Sequence, residues 1–263
     1  MKRKRAQPEV SVVVPAYMEA EQIADCLDRL AEWLESAGLQ WEIVVVDDGS
    51  TDATPSIVRQ RAEGDPRVRL VAYRPNRGKG FAVRTGLRAA RGRRVLFTDA
   101  DLSTPPEEIA TALELLGRCD VVVGTRAREQ SQIVVHQRAH REWMGRTFNL
   151  FVRLLGLAAM PDTQCGFKAF RAEVLPELLA PLRSNRFAFD VELIAEARRQ
   201  GLRLCEQPVR WYNRPASRVR LVRDSAGMLL ELVLIAARVA GRRRAARRIG
   251  ATAGAQPASL RSK

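Results

Sequence analysis

Up to Gly124 the chain alternates compact apolar runs with stretches whose apolar positions recur every three to four residues. VSVVVP (10–15), EIVVVDD (42–48), VRLVAY (68–73), RVLFTDAD (94–101) and DVVVG (120–124) are β-branched, end in turn or acidic residues, and predict strands. Between them, 19–35 carries Ile23, Leu27, Leu30 and Leu34 at helical spacing. Segments 54–62 and 81–90 predict further helices, as does 106–116, whose opening prolines and glutamates suit a helix start. Strands alternating with helices imply right-handed crossovers and a mostly parallel sheet covered on both faces. Past Gly124 the pattern loosens. A helix is expected over 142–157, with Met144, Phe148, Phe151 and Leu155 on one side and Arg146, Asn149 and Arg153 on another. DTQCGFKAF (162–170) follows a helix-stopping Pro161 and receives no element. A helix over 187–201, a last strand over 202–211 and a helix over 219–240 complete the reading, and the Ala/Ser-rich end is expected to be disordered. This divides the chain into a basic tail (1–8), an α/β domain (9–221), an apolar helix with a basic segment (222–249) and a tail (250–263).

In a parallel α/β sheet, ligands bind beyond the carboxyl ends of the strands. Four segments should meet there: Pro15-Ala16-Tyr17, Asp47-Asp48-Gly49-Ser50, Asp99-Ala100-Asp101 and Gly124-Thr125-Arg126. Asp99 and Asp101 at a strand end suit a hard divalent cation, which takes oxygen ligands and shares them with substrate phosphates. Taken alone, the pair equally suits helix capping and solvation. Asp47 and Asp48 suit either a nucleobase or ribose contact or a tight turn with Asp52 as a helix cap. Asn76-Arg77-Gly78-Lys79-Gly80 precedes a helix and offers backbone N–H groups and one ammonium to a diphosphate, or else is a plain turn. It lacks the GxxxxGK[ST] spacing of a Walker A loop.

Composition narrows the chemistry. Of 263 residues, 46% are hydrophobic and 28% charged, which excludes wholesale disorder. Two histidines exclude a three-histidine metal site, and the four scattered cysteines argue against a zinc ribbon or a disulfide scaffold and fit a reducing cytosol. The basic N-terminus lacks the apolar stretch of a secretory signal. Lys and Arg number 44 against 30 Asp and Glu, a net charge of +14, so a polyanionic, phosphorylated or anionic-membrane partner is expected. A nucleic-acid binder would share that charge, but acids at two successive strand ends would repel phosphates, and no aromatics interleave the basic runs. A nucleotidyltransferase would use the two aspartates but gives no reason for DTQCGFK.

The series SVVVPAYMEAEQI, VVVDDGSTD, NRGKGFAVRTG and FTDADLSTPP, in that order, resembles glycosyltransferase family 2 with its GT-A nucleotide-diphospho-sugar transferase fold. DTQCGFKAF, RFAFDVELI and VRWYNRPASRVRL narrow the likeness to dolichyl-phosphate (polyprenyl-phosphate) β-glucosyltransferases, cousins of the dolichyl-phosphate mannose synthases. The resemblance spans about residues 8–221. It implies a nucleotide-sugar pocket of Pro15, Ala16, Tyr17, Glu19, Asp47, Asp48, Lys79, Asp99 and Ala100, a Mg²⁺ or Mn²⁺ ion on Asp101 with Asp99, and inversion at the sugar. UDP-glucose is the donor it implies, GDP-mannose or another glycan acceptor the alternatives. The family usually has Asn before the Glu of its first motif; here Met18 stands there.

A lipid phosphate is largely ionised at neutral pH, its second pKa being about 6, so it needs cations rather than a general base. Arg126, Arg138, Arg141, Arg146, Arg214 and Arg218 can supply them, guanidinium forks fitting phosphate oxygens, with Ser217 beside Arg218. Arg126, directly after a strand, is the first candidate. Asp162, Gln164 and Asp190 could orient acceptor or sugar, or could cap a turn and a helix. Cys165 reads as a packed residue. The apolar run 225–240 would reach about 24 Å as a helix, short of a hydrocarbon core of about 30 Å. Asp224, Glu231 and Arg238 mark one polar stripe on it, and five arginines follow, so it is expected to lie on an anionic membrane surface or to pack on the domain, at the cytoplasmic face.

Overall fold

The structure is a computed structural model that describes residues 7–127, 131–135, 139–212, 227, 229–242 and 244, and of residues 132–146 the backbone only. The elements run β1 (Val10–Ala16), α1 (Ile23–Ser36), β2 (Trp41–Asp47), α2 (Thr54–Gly64), β3 (Val68–Ala72), α3 (Lys79–Ala89), β4 (Arg94–Thr98), α4 (Glu108–Leu115), β5 (Val121–Thr125), β6 (Gln132–Val135), α5 (Ala139–Leu154), β7 (Phe167–Arg171), α6 (Leu175–Leu179), α7 (Phe189–Arg199), β8 (Leu204–Pro208) and β9 (Arg210–Tyr212). A last helix, α8, covers 229–242.

Seven strands form one sheet in the order β3-β2-β1-β4-β7-β5-β8, and β6 pairs with β9 in a small second sheet. The large sheet is parallel except at β7, which runs antiparallel to both β4 and β5. Its central strands are buried on both faces, hence the unbroken valine runs in β1 and β2. One apolar layer joins α1, Val58 of α2 and α4 to one face; the other joins α3, α6, α7 and the buried positions of α5 and α8 to the opposite face. In the second layer the rings of Phe97 and Phe170 stand 6.4 Å apart and those of Phe97 and Phe189 5.9 Å apart.

Four expectations change. DTQCGFKAF contains the central strand β7, which an alternation scan passes over because Lys168 interrupts its apolar run. The single strand expected over 202–211 is two, divided at Val209, whose N–H donates to the Thr125 carbonyl while Pro208 ends β8. The cysteines are not all separate: Cys119 and Cys205, at the amino ends of the neighbouring strands β5 and β8, are disulfide-bonded with Cα atoms 6.0 Å apart. Sequence separation hid a contact that strand pairing creates.

The fourth change concerns Arg238 on α8; the helix itself packs on the domain, one of the two places expected for it. Leu232, Ile235 and Val239 are buried, while Leu229, Leu230, Val233 and Leu234 are exposed. Arg238 turns inward from the expected stripe and lies 3.6 Å from the buried Glu192. Arg242 donates to Glu196 at 3.2 Å and to the Pro181 carbonyl at 2.7 Å. Among the described residues no helix is long and apolar enough to cross a membrane. The expected disordered tail, and Asp224, lie outside the described residues.

Candidate active site

Because β7 is reversed, its starting turn 162–166 lies at the edge where β1, β2, β4 and β5 end. That turn and the four segments read from sequence therefore meet. The turns after β1 and β2 are laced together by backbone N–H groups donating to side chains: Met18 to Ser50 Oγ at 2.8 Å, Glu19 to Thr54 Oγ1 at 2.8 Å and Ala20 to Asp52 Oδ2 at 3.2 Å. Pro15 and Ala16 close β1, and Tyr17 stands exposed at the rim. Met18 adopts φ 59°, a left-handed backbone that Asn tolerates better than Met, and its Sδ accepts from the N–H and hydroxyl of Thr51.

Asp47 and Asp48 are both buried. Asp47 Oδ1 accepts from the Ser50 N–H. Asp48 receives the N–H of Arg77 at 2.7 Å, the N–H of Gly78 at 2.8 Å and Asn76 Nδ2 at 2.9 Å. Two amides that the sequence offered to a diphosphate are thus given to Asp48, which fixes the start of α3. Gly78 needs its φ of 97°, and a Cβ on it would stand 2.6 Å from the Asn185 carbonyl oxygen. Lys79 follows as the first residue of α3, and its Nζ reaches Asp99 Oδ1 at 2.5 Å. Burial alone would lower the Lys79 pKa, but Asp99 and Asp190 beside it raise it above the ordinary lysine value.

Asp101 Oδ1 accepts from the Ser103 N–H at 2.8 Å, and the intervening Leu102 is held at φ 46° with its side chain buried. Ala100, between the two acids, is buried as well. Burial, and then the Asp99 carboxylate, push the Asp101 pKa above the usual range. Two partly buried carboxylates balanced by one ammonium fit a hard cation, which would relieve their repulsion. Among the described residues no group of three or more His, Cys, Asp or Glu side chains could hold a metal alone. The donor set is that of an ion completing its shell with phosphate and water oxygens, and its chemistry would be to neutralise a departing diphosphate.

The turn before β7 closes the site. Asp162 accepts from the backbone N–H of Arg126 at 3.0 Å, its Nε at 2.7 Å and its Nη2 at 2.9 Å, and from the Gln164 N–H at 3.1 Å. Although burial would raise it, Arg126 holds the Asp162 pKa below the usual carboxylate range. Arg126 also lies 5.5 Å from the Trp211 ring centroid. Lys168, fully buried, donates to Asp190 Oδ1 at 2.5 Å and to the Cys165 carbonyl at 2.8 Å. The Cys165 thiol is pushed up to about 11 by burial, as a packed residue should be. Asp52, expected as a helix cap, accepts the Thr54 N–H at 3.0 Å at the start of α2; sequence reading did not single out Gly166, whose neighbour is Asp99, Thr54, or the support that Ser50 gives to Met18. DDGSTD held that last signal, as side chains able to receive N–H groups in a turn. The Arg141 and Arg146 side chains and Arg138, Arg214, Ser217 and Arg218 lie outside the described residues.

Paired aspartates and a lysine thus stand at the carboxyl edge of a GT-A-type sheet, the fold of a class of glycosyltransferases, and the solved structures agree on that fold. Glucosyl-3-phosphoglycerate synthase from Mycobacterium tuberculosis, crystallised with Mn²⁺, UDP-glucose and phosphoglyceric acid, superposes with a TM-score of 0.64 at 24% identity, over 89% of this chain and 80% of that one. Residues 11–179 match the Glycosyl transferase family 2 model, and the chain belongs to that family. It is 38% identical to dolichyl-phosphate β-glucosyltransferase of Drosophila melanogaster over 77% of this chain and 67% of that protein. It is 31% identical to the Saccharomyces cerevisiae protein of the same name, over 86% and 73%.

Proposed function

We propose that this glycosyltransferase moves glucose from UDP-glucose to a dolichyl or other polyprenyl phosphate, giving a lipid-linked sugar with inverted configuration. The observation that carries the reading is the packing of the 162–166 turn onto Asp99, in a chain whose relatives bear that acceptor in their names. Pro15, Ala16, Tyr17, Glu19, Asp47 and Asp48 shape the nucleotide side. Lys79 faces the diphosphate, and Asp99 and Asp101 hold Mg²⁺ or Mn²⁺. Arg126 and Asp162 form a pair of no net charge, so Arg126 serves chiefly to fix the turn. The positive charge that the acceptor phosphate requires then falls to Arg138, Arg141, Arg214 and Arg218, with Ser217 donating a hydroxyl. Gln164 lines the acceptor side. No general base is needed, because the phosphate arrives ionised.

A membrane-borne acceptor calls for an enzyme that rests on the membrane surface. The exposed Leu229, Leu230, Val233 and Leu234 of α8 support an apolar contact with such a surface, and the net charge of +14 favours an anionic leaflet, taken here as the cytoplasm-facing one. The burial of Leu232, Ile235 and Val239 supports counting α8 with the catalytic unit rather than as a segment apart. The test is a donor panel of UDP-glucose, UDP-galactose and GDP-mannose with a short polyprenyl phosphate and Mn²⁺, scored for released nucleotide. Selective release from UDP-glucose is expected. Preference for GDP-mannose would make this a mannosyltransferase, and release that does not depend on the lipid phosphate, or no release from any donor, would end the reading.

A further inference from the structure

A charged row runs from the middle of the sheet to the nucleotide edge. Lys168 pairs across the sheet with Phe97 of β4 and Val123 of β5, is fully buried, and holds its ammonium 5.4 Å from the Phe97 ring centroid. A lysine so placed in a seven-stranded sheet is costly unless its charge is matched. Its match is Asp190, in the first turn of α7 and itself buried, with the Cys165 carbonyl as second acceptor. The starts of α3 and α7 are in contact, a Cβ on Gly80 standing 2.5 Å from Phe189 Cβ, which brings the neighbouring Lys79 within electrostatic reach of Asp190 while its Nζ sits on Asp99. The order is therefore Lys168, Asp190, Lys79, Asp99, with alternating sign. Asp190 stands between two lysines, and only one of them faces the nucleotide edge.

We propose that Lys168 is a positioning residue for nucleotide binding: by occupying Asp190 it leaves the Lys79 ammonium forward on Asp99, at the diphosphate, instead of drawn back toward the core. This rests on the reading of Lys79 as a diphosphate ligand. Without the Lys168 charge, Asp190 becomes a buried anion whose remaining lysine is Lys79, and it competes with Asp99 for that ammonium. Removing both charges at once ends the competition. A merely structural ion pair behaves differently, because either single substitution and the double then lower nucleotide binding in step with stability.

The test uses Lys168→Gln, Asp190→Asn and the pair combined. Gln can still donate to the Cys165 carbonyl, and Gln with Asn keeps an uncharged hydrogen bond in nearly the same volume. UDP affinity in the presence of Mn²⁺ is measured by calorimetry alongside Tm. Lys168→Gln should weaken UDP binding about tenfold, as loss of one charge-assisted phosphate contact would. Asp190→Asn and the double variant should each bind within about twofold of wild type, whatever their Tm, because neither leaves an anion competing for Lys79. Unchanged affinity in Lys168→Gln, or a double variant binding no better than Lys168→Gln, overturns the proposal. Should Lys168→Gln not fold, a large loss of UDP affinity in Asp190→Asn or in the double variant overturns it equally. A wild-type protein that binds neither UDP nor GDP with Mn²⁺ would instead refute the nucleotide-sugar reading beneath it.

Discussion

Gly166 lies so close to Asp99 that a Cβ added to it would stand 1.9 Å from Oδ2 and 2.5 Å from the carboxyl carbon. The Asp99 carboxylate is thus held between the Lys79 ammonium and a stretch of bare backbone. Gly166→Ala has to displace Asp99 or lift the turn that carries Asp162. A displacement on the order of 1 Å at a reacting centre costs about 100-fold in rate. Glucosyl transfer should fall by that order, and UDP affinity with Mn²⁺ should weaken with it. Near-normal kinetics in Gly166→Ala would show that the turn yields freely and has no part in the site.

Asp101 separates binding from stability. Burial and Asp99 raise its pKa in the folded state, so the metal-free fold is less stable with the group ionised than with it protonated. As pH rises from the ordinary carboxylate value toward the higher folded one, stability is lost. Asp101→Asn removes that cost, so Tm at pH 7 without metal should be unchanged or higher, while Mn²⁺-dependent UDP binding and activity disappear. A fall in Tm together with retained binding would reassign Asp101 to a structural role.

The Arg126–Asp162 pair has the opposite sign. Asp162 has a lowered folded pKa, so its contribution is fully present above the ordinary carboxylate value of about 3.9 and is lost as pH falls through the lower folded value. Asp162→Asn should destabilise by about 2–3 kcal/mol near neutrality, since it removes the buried carboxylate charge that the half-buried Arg126 guanidinium contacts. In chemical denaturation the gap between wild type and variant should be flat from pH 7 to about pH 5 and should close below about pH 4. A gap that persists into acid would mean that the carboxylate charge is not what holds the turn.

α8 requires a finer probe than deletion. Cutting the chain before it would leave Glu192 and Glu196 without Arg238 and Arg242, and would uncover the surface beneath Leu232, Ile235 and Val239. Loss of folding would then be mistaken for loss of membrane contact. Replacing Leu229, Leu230, Val233 and Leu234 with Gln touches only exposed positions. Sedimentation with anionic vesicles should drop several-fold while Tm and UDP affinity stay put. Undiminished vesicle binding would place the contact elsewhere.

Much of this architecture was legible because the parallel half obeys simple periodicity. Trp41–Asp47 is buried throughout and Val10–Ala16 at every position but Pro15, and a β-branched run so placed has little else to be. The same logic placed Asp47, Asp99 and Arg126 at one edge. It did not reach β7, where Lys168 breaks the apolar pattern and takes its partner from another element. Nor could it foresee Gly166, because a glycine required by close approach looks like any turn glycine until the neighbour is known. The inward turn of Arg238 and Arg242 was hidden for the same reason. A buried carboxylate supplied by another helix, α7, leaves no mark on the arginine's own stretch of sequence.

The most direct test is the identity of the acceptor atom. Purified protein, Mn²⁺ and labelled UDP-glucose should be offered a polyprenyl phosphate and, in parallel, the corresponding polyprenol. The expected result is a β-linked glucosyl phosphate lipid from the first alone, absent with Asp101→Asn, with an acid limb in its pH–rate profile near the second ionisation of the phosphate, about pH 6. Equal transfer to the alcohol, or an acid limb that vanishes in Asp162→Asn or Asp190→Asn while UDP affinity holds, would contradict the account, because the nucleophile would then be a hydroxyl served by a protein base.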